Sequence, residues 1–250
     1  MRLNKKKLEN KKLYSIETQT VESKISQIKP IISNEIKMSA LQKSIKINYI
    51  FFIGLIGCIY VLSRDKTSNK SLFITTISFL FASIIGYLFH AESHRMVPAQ
   101  ELYNNSDSLV KKNKILNWIA IKICKFIDFH PIIHHNTNIN KQWKNILYEF
   151  INNLFTQGIL MVIAIKLLNY LDLRVIILWA FLYATVHNIN FFYINPTTHR
   201  DHHIDDTTNF GLDTYDIIFD TKYNWDDIEN FNHGTINLII LTVIVLYFSK

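Results

Sequence analysis

Glycine and proline are scarce in this chain, six and four residues in 250, which argues against an architecture of many strands and tight turns and for helices. Cysteine is scarcer still. Cys58 and Cys124 lie far apart, form no CxxC pair, and lend no support to a disulfide framework or to thiolate chemistry. Charged residues, at 19%, fall below the quarter usual for a soluble domain. The first 45 or so residues are polar and lack an early apolar core with a small-residue cleavage pattern, so a secretory signal peptide is not expected. No GxGxxG fingerprint for a flavin or nicotinamide nucleotide occurs anywhere.

What the chain has in quantity is apolar sequence, 49% of its residues. Four runs approach the roughly 17–25 residues that cross a bilayer as a helix: about 47–62, 71–89, 146–169 and 174–194. The third carries Glu149, Asn152, Asn153 and Gln157 in its first half, and its start is expected to be partly buried or interfacial. A fifth, 235–248, is too short to span with confidence and can lie against the bundle. The expected fold is all-α, an integral membrane bundle of about four transmembrane helices with a possible fifth at the C-terminal end.

The formal charge of +7 resides entirely in residues 1–46, where eleven Lys/Arg face four acids. A basic tail before the first apolar run is what the positive-inside rule expects of a cytoplasmic N-terminus. Residues 1–46 read as a flexible cytosolic tail able to touch anionic lipid, and 47–250 as the membrane domain. No basic face with interleaved aromatics recurs downstream, so nucleic acid is not an expected partner. With the tail cytoplasmic, the hairpins bring 91–145 and the segment from His199 onward to the same side, and every histidine group lands on one membrane face.

Eight of the ten histidines fall in three tight groups: HAESH at 90–94, HPIIHH at 130–135 and HRDHH at 199–203. His187 stands twelve residues before the last group, and His233 is alone in a turn-like context. Residues three or four apart on a helix share a face, so each group can aim two or three imidazoles at one point. Singly, an HxxxH pair in a helical protein means little. Together the groups offer eight or nine nitrogens, more than the four of structural zinc or the three of catalytic zinc. That count points to two metal ions, and a two-metal site rich in neutral nitrogen and free of cysteine suits iron.

The run HNINFFYINPTTHRDHHIDDTTNFGLDTYDIIFDT at 187–221 resembles the C-terminal signature of the fatty acid hydroxylase/sterol desaturase superfamily of integral membrane di-iron oxygenases. That pattern is an isolated His, a Pro-x-x-His-x-x-His-His element, Asn-Tyr/Phe-Gly, then aromatic-Asp-x-x-Phe-Gly-Thr. The matching residues are His187; Pro196, His199, His202 and His203; Asn209, Phe210 and Gly211; Tyr215, Asp216, Phe219, Asp220 and Thr221. The two upstream boxes match in order and rough separation, so the likeness covers about 71–221. There are two departures. The middle box is HxxxHH where the family has HxxHH, which sets His130 apart from His134 and His135, and Asp220 stands where the family has Gly.

The resemblance implies a membrane bundle with a cytosolic cap that carries the histidine boxes and binds two iron ions. The ligands it implies are His90, His94, His130, His134, His135, His187, His199, His202 and His203. It also implies a lipid substrate, fatty acyl or sterol-like, hydroxylated or desaturated with O2, and a role in lipid metabolism. If the host is eukaryotic, it implies an endoplasmic reticulum-type membrane. Electrons must come from a separate donor, such as a b-type cytochrome or a ferredoxin with its reductase. Asp216, where the family pattern has Asp, is the carboxylate expected to hold a ligating imidazole by its outer N–H. Glu92, Asn209, Asp201, Asp205, Asp206 and Asp213 are weaker candidates, and most of these aspartates read as a solvated turn. Tyr87, Phe191, Phe192 and Tyr193 are candidates to line a substrate channel. The competing readings are a non-enzymatic His-rich membrane protein that binds or transports zinc or copper, and a structural adaptor working through its basic tail. The latter leaves the histidine clustering unexplained.

Overall fold

The computed structural model describes residues 32–135, 143–159, 161–162 and 170–250. The chain divides into two units, Met1–Lys37 and Met38–Lys250. Of the first, only residues 32–37 are described, and most of the expected basic tail lies outside the described residues. Everything below concerns the second unit, apart from the opening turn of its first helix.

Among the described residues the fold is helical, without a strand. The principal helices are α1 (Asn34–Ile47), α2 (Tyr49–Arg64), α3 (Leu72–Ser93), α4 (Ala99–Asn105), α5 (Lys114–Ile127), α6 (Trp143–Leu154), α7 (Leu173–Ile189), α8 (Thr197–Ile204), α9 (Asp213–Ile218) and α10 (Gly234–Phe248). Side-chain caps begin the main ones. Ser71 Oγ accepts from Ile74 N, Asn113 Oδ1 from Ile115 and Leu116 N, and Asp172 Oδ1 from Arg174 N, satisfying amides that the first turn leaves without partners.

The core lies where α2, α3, α7 and α10 meet, around Leu62, Phe79, Val175, Ile176, Leu178 and Leu238. α7 is the central helix. Of its most apolar window 56% is buried, against 39% for that of α3. Outward faces stay apolar, with Ile53, Ile56, Phe73, Ile236, Val243 and Phe248 all exposed, as expected where lipid is the solvent. α5 also turns Ile115, Leu116, Trp118 and Ile123 outward. At one end of the bundle Arg174 bridges Asp65 (2.9 Å) and Asp172 (2.7 Å), tying α2 to α7.

Among the described residues two helical stretches can cross a bilayer by length and composition, Leu72–Ser93 and Leu173–Ile194, or three if the bent pair α1–α2 is one span. That is fewer than the four expected. The first apolar run yields a helix of only 16 residues, and the α1–α2 pair bends by 70°. Asn48 sits at the bend, wholly buried, with its amide spent on Glu229 O (2.9 Å) and its oxygen on Phe231 N (2.6 Å). In the third run α6 passes into a π-helical turn, Phe155–Ile159, and residues 160 and 163–169 lie outside the described residues. The fifth run forms α10, 15 residues long, packed on α2 and α7.

α3 approaches its neighbours closely at Gly86. A Cβ there would overlap Gln157 Oε1 and stand 2.7 Å from Trp179 Nε1. Gln157 Nε2 in turn donates to Gly86 O (3.1 Å), which gives a buried amide group a partner inside the bundle.

Candidate metal centre

Four segments deliver imidazoles to one end of the bundle. α3 ends in His90 and His94, one turn apart on the same face. α7 carries His187 near its C-terminus, and α8 carries His199, His202 and His203. The middle box lies on a π-helical turn, Phe129–His134, that follows α5. This turn accounts for the departure in spacing. On an α-helix, residues three and four after a histidine flank it on one face, the arrangement of HxxHH. A π turn is wider and closes i→i+5, so it takes up one extra residue, and His134 and His135 flank His130 as before. The turn brings His130 in among the other imidazoles, its Nε2 2.8 Å from His90 Nε2.

All nine predicted histidines enter groups able to hold a metal. His90, His94, His130, His135 and His202 form one. His130, His134 and His187 form a second with Glu149, and His134, His199 and His203 a third. Three inward N···N separations, each between Nε2 atoms, set the scale: His90–His130 2.8 Å, His134–His187 3.1 Å and His199–His203 3.2 Å. Two imidazole nitrogens bound at about 2.1 Å to one metal at near-right angles are about 3.0 Å apart.

The outer nitrogens fix the tautomers. His90 Nδ1 lies 2.5 Å from Phe210 O, and His202 Nδ1 2.6 Å from Thr208 O. Carbonyls only accept, so both Nδ1 atoms carry the proton and both Nε2 lone pairs face inward. His130 Nδ1 donates to Glu149 Oε1 (3.1 Å), which leaves its Nε2 bare as well. The contact between His90 and His130 then brings two inward Nε2 atoms face to face, an arrangement that a metal ion, or a proton shared between them, would relieve. Among the described residues His202 Nε2, both nitrogens of His94 and of His135, and Glu149 Oε2 are buried without a hydrogen-bond partner. Such orphans are uncommon in folded proteins, and here they converge on the same place. The donor set fits a metal.

Burial, reinforced by neighbouring imidazoles, pushes His94 down to about 3 and drives His134, His135, His199 and His202 far below the ordinary histidine range. These rings are neutral at physiological pH, the state a metal ligand needs.

Asp216 is placed one contact further out than the sequence suggested. Its carboxylate accepts from Phe210 N (2.9 Å), Gly211 N (3.4 Å), Thr221 Oγ1 (2.7 Å) and Tyr87 OH (3.3 Å). It holds the loop whose Phe210 carbonyl orients His90, and does not itself meet an imidazole in these contacts. Asp220, which stands where the signature has Gly, sits in a left-handed backbone conformation. Asp220 adopts φ 59° and Asn209 φ 51°, conformations that Asp and Asn tolerate better than other side chains. Asn209 pins α8 through Thr198 O (3.0 Å).

Of the weaker candidates, Glu92 is exposed beside Arg95, Asp205 caps its own turn at Thr207, and Asp206 reaches only to 4.0 Å from His94 Nδ1. Asp213 is buried in an ion pair with Lys222. Among the aromatics, Tyr87 lines a cavity whose walls include His90, His187, His199 and His202 together with Phe51, Leu182 and Val186. Phe191 covers the cage, its ring 4.1 Å from that of His134, whereas Tyr193 is 78% exposed. His233 bonds Asn230 O and Asn190 Oδ1 at the start of α10, outside every ligand group.

Glu149 is the residue that sequence reasoning passed over. It is 1% exposed and lies among His130, His134 and His187. The signal was available: an ionisable side chain inside an apolar run is a functional candidate by default.

Comparison of the chain with protein-family models, curated proteins and solved structures finds no match.

Proposed function

We propose that the protein is a membrane di-iron oxygenase that hydroxylates or desaturates a C–H bond of a lipid. One observation carries the metal reading: the bare Nε2 atoms of His90 and His130 face each other at 2.8 Å, inside a cage of buried, neutral imidazoles. Five nitrogens in one group exceed what a closed zinc site takes, which favours iron, and the motif resemblance over 71–221 points the same way. The outward apolar faces of the bundle support a membrane setting, with the histidine end and the N-terminus cytosolic.

His90, His94, His130, His135 and His202 would hold one ion, and His134, His187, His199 and His203 the other. Iron bound there supplies the one-electron chemistry that activates O2 for attack on an unactivated C–H bond. The chain's own part is to orient and to exclude. Backbone carbonyls 208 and 210 aim two imidazoles, Phe191 shields the cage, and the cavity edged by Phe51, Leu182 and Val186 holds an apolar substrate against His90 and His187. Hydroxylation places one oxygen atom in the product and releases the other as water, with two electrons and two protons from a separate donor. Desaturation releases both oxygens as water. The donor is a b-type cytochrome or a ferredoxin with its reductase.

The test is lipid profiling of cells expressing the protein or its His202→Ala variant under 18O2. A labelled hydroxylipid, or an added double bond, that appears only with the wild-type chain is the expected result. Identical lipid profiles would contradict the reading.

A further inference from the structure

We propose that Glu149 is a tenth metal ligand, which binds the ion of His134 and His187 through Oε2 while its other oxygen anchors a ligand of the neighbouring ion. This rests on the two-metal reading above and adds to it a chemical difference between the two centres.

The carboxylate sits on the second turn of α6, 1% exposed, in the midst of the cage. Its two oxygens are used unequally. Oε1 accepts from Asn153 Nδ2 (2.9 Å) and from His130 Nδ1 (3.1 Å), with His187 Nε2 at 3.3 Å. Oε2 is buried with no hydrogen-bond partner, and His134 Nδ1 is 3.5 Å away, too long for a good hydrogen bond. An anionic oxygen stripped of water and left without a donor is costly. One carboxylate oxygen of Glu149 belongs to a set of buried donor atoms with His130, His134 and His187, all within 4.8 Å of one another. Carboxylate oxygen and imidazole nitrogen together are an ordinary donor set for iron, and a cation at this point meets the orphaned oxygen.

The consequence is asymmetry. The first centre is held by neutral nitrogens alone. The second carries one negative charge in its inner shell, which stabilises a more oxidised ion there. Glu149 also joins the centres, because Oε1, 3.3 Å from His187 Nε2, holds the Nδ1 proton of His130 and so keeps that ring's Nε2 on the first. An N–H acceptor of this type raises ligand basicity and fixes ring orientation.

Iron analysis and 57Fe Mössbauer spectroscopy of the full chain purified in detergent test this. Wild-type protein should contain about two irons per chain and show two resolved components of equal area. Glu149→Gln should retain about one, with the spectrum that His199→Ala leaves. A Glu149→Gln variant that keeps both irons and both components would overturn the assignment and leave the di-iron reading standing. So would one that loses instead the component lost in His94→Ala, since Glu149 would then act only through His130. If the variant does not fold, the wild-type spectrum decides alone, and a single unresolved component overturns the proposal. Wild-type protein without iron would remove the function proposed above and this ligand with it.

Discussion

Replacing Asp216 by alanine should loosen the metal cage from a distance. The side chain is 1% exposed, and burial pushes its carboxyl up to about 7. Alanine would strand the Phe210 amide and the Thr221 hydroxyl, which it meets at 2.9 and 2.7 Å, while the Tyr87 hydroxyl keeps Thr221 Oγ1 as a partner. Each buried donor left unpaired costs about 1–3 kcal/mol. Taking the low end for both, because water can partly fill the space, gives about 2 kcal/mol. For a chain of this size that is about 4–8 °C in melting temperature. Asparagine keeps an acceptor for both donors and loses only the long contact to Gly211 N (3.4 Å), so Asp216→Asn should cost about 1 kcal/mol. A second effect follows through Phe210, whose carbonyl fixes the His90 ring. Loss of such an outer partner typically lowers metal affinity 10–100-fold. Thermal unfolding in detergent and competition with a chelator measure the two effects. An Asp216→Ala protein that melts and binds metal like wild type would show that this carboxylate does not hold the His90 loop.

Three further outcomes are expected. Deleting Ile133 restores HxxHH spacing and should convert the π turn to an α turn with metal content kept; a loss as large as that of His130→Ala, read by elemental analysis, would refute the account of the extra residue. Gly86→Val places two methyl groups against Gln157 and Trp179 and should lower the melting temperature by several degrees, overpacking of this kind costing about 1–3 kcal/mol; an unchanged melting curve would show that α3 and α7 are free to separate. Burial holds the Glu229 carboxyl up to about 8 from an ordinary 4.5, so the folded chain keeps a proton that the unfolded chain releases. The stability tied to that proton is complete below about 4.5 and is lost as pH rises through about 8. Glu229→Gln should therefore flatten the fall in melting temperature between about pH 6 and pH 9, and parallel pH profiles would count against the shift.

The histidine groups were legible because their geometry is local. Three- and four-residue spacings place imidazoles on one face whatever the rest of the chain does, and His187 came from the longer signature. The helical class followed from the apolar runs and the scarcity of glycine and proline. The sequence did not show where those runs break. Asn48 breaks the helix at the start of the first run because its side chain is taken up by Glu229 and Phe231 far along the chain, a tertiary fact with no local mark. The π turns were equally hidden, since no residue preference announces them; HxxxHH read as a defect until the wider turn accounted for it. Asp216 was placed against an imidazole when it acts through the Phe210 backbone. Glu149 was visible as an ionisable residue in an apolar run, but its partners, His130 and His187, lie 19 and 38 positions away, and only the folded chain brings them to one carboxylate.

The central claim is that the cage holds two iron ions, and elemental analysis of the purified full-length chain tests it most directly. The account predicts about two irons per chain, with His202→Ala and His134→Ala each reducing the content. Stoichiometric zinc or copper without iron, or wild-type iron that neither substitution lowers, would contradict it.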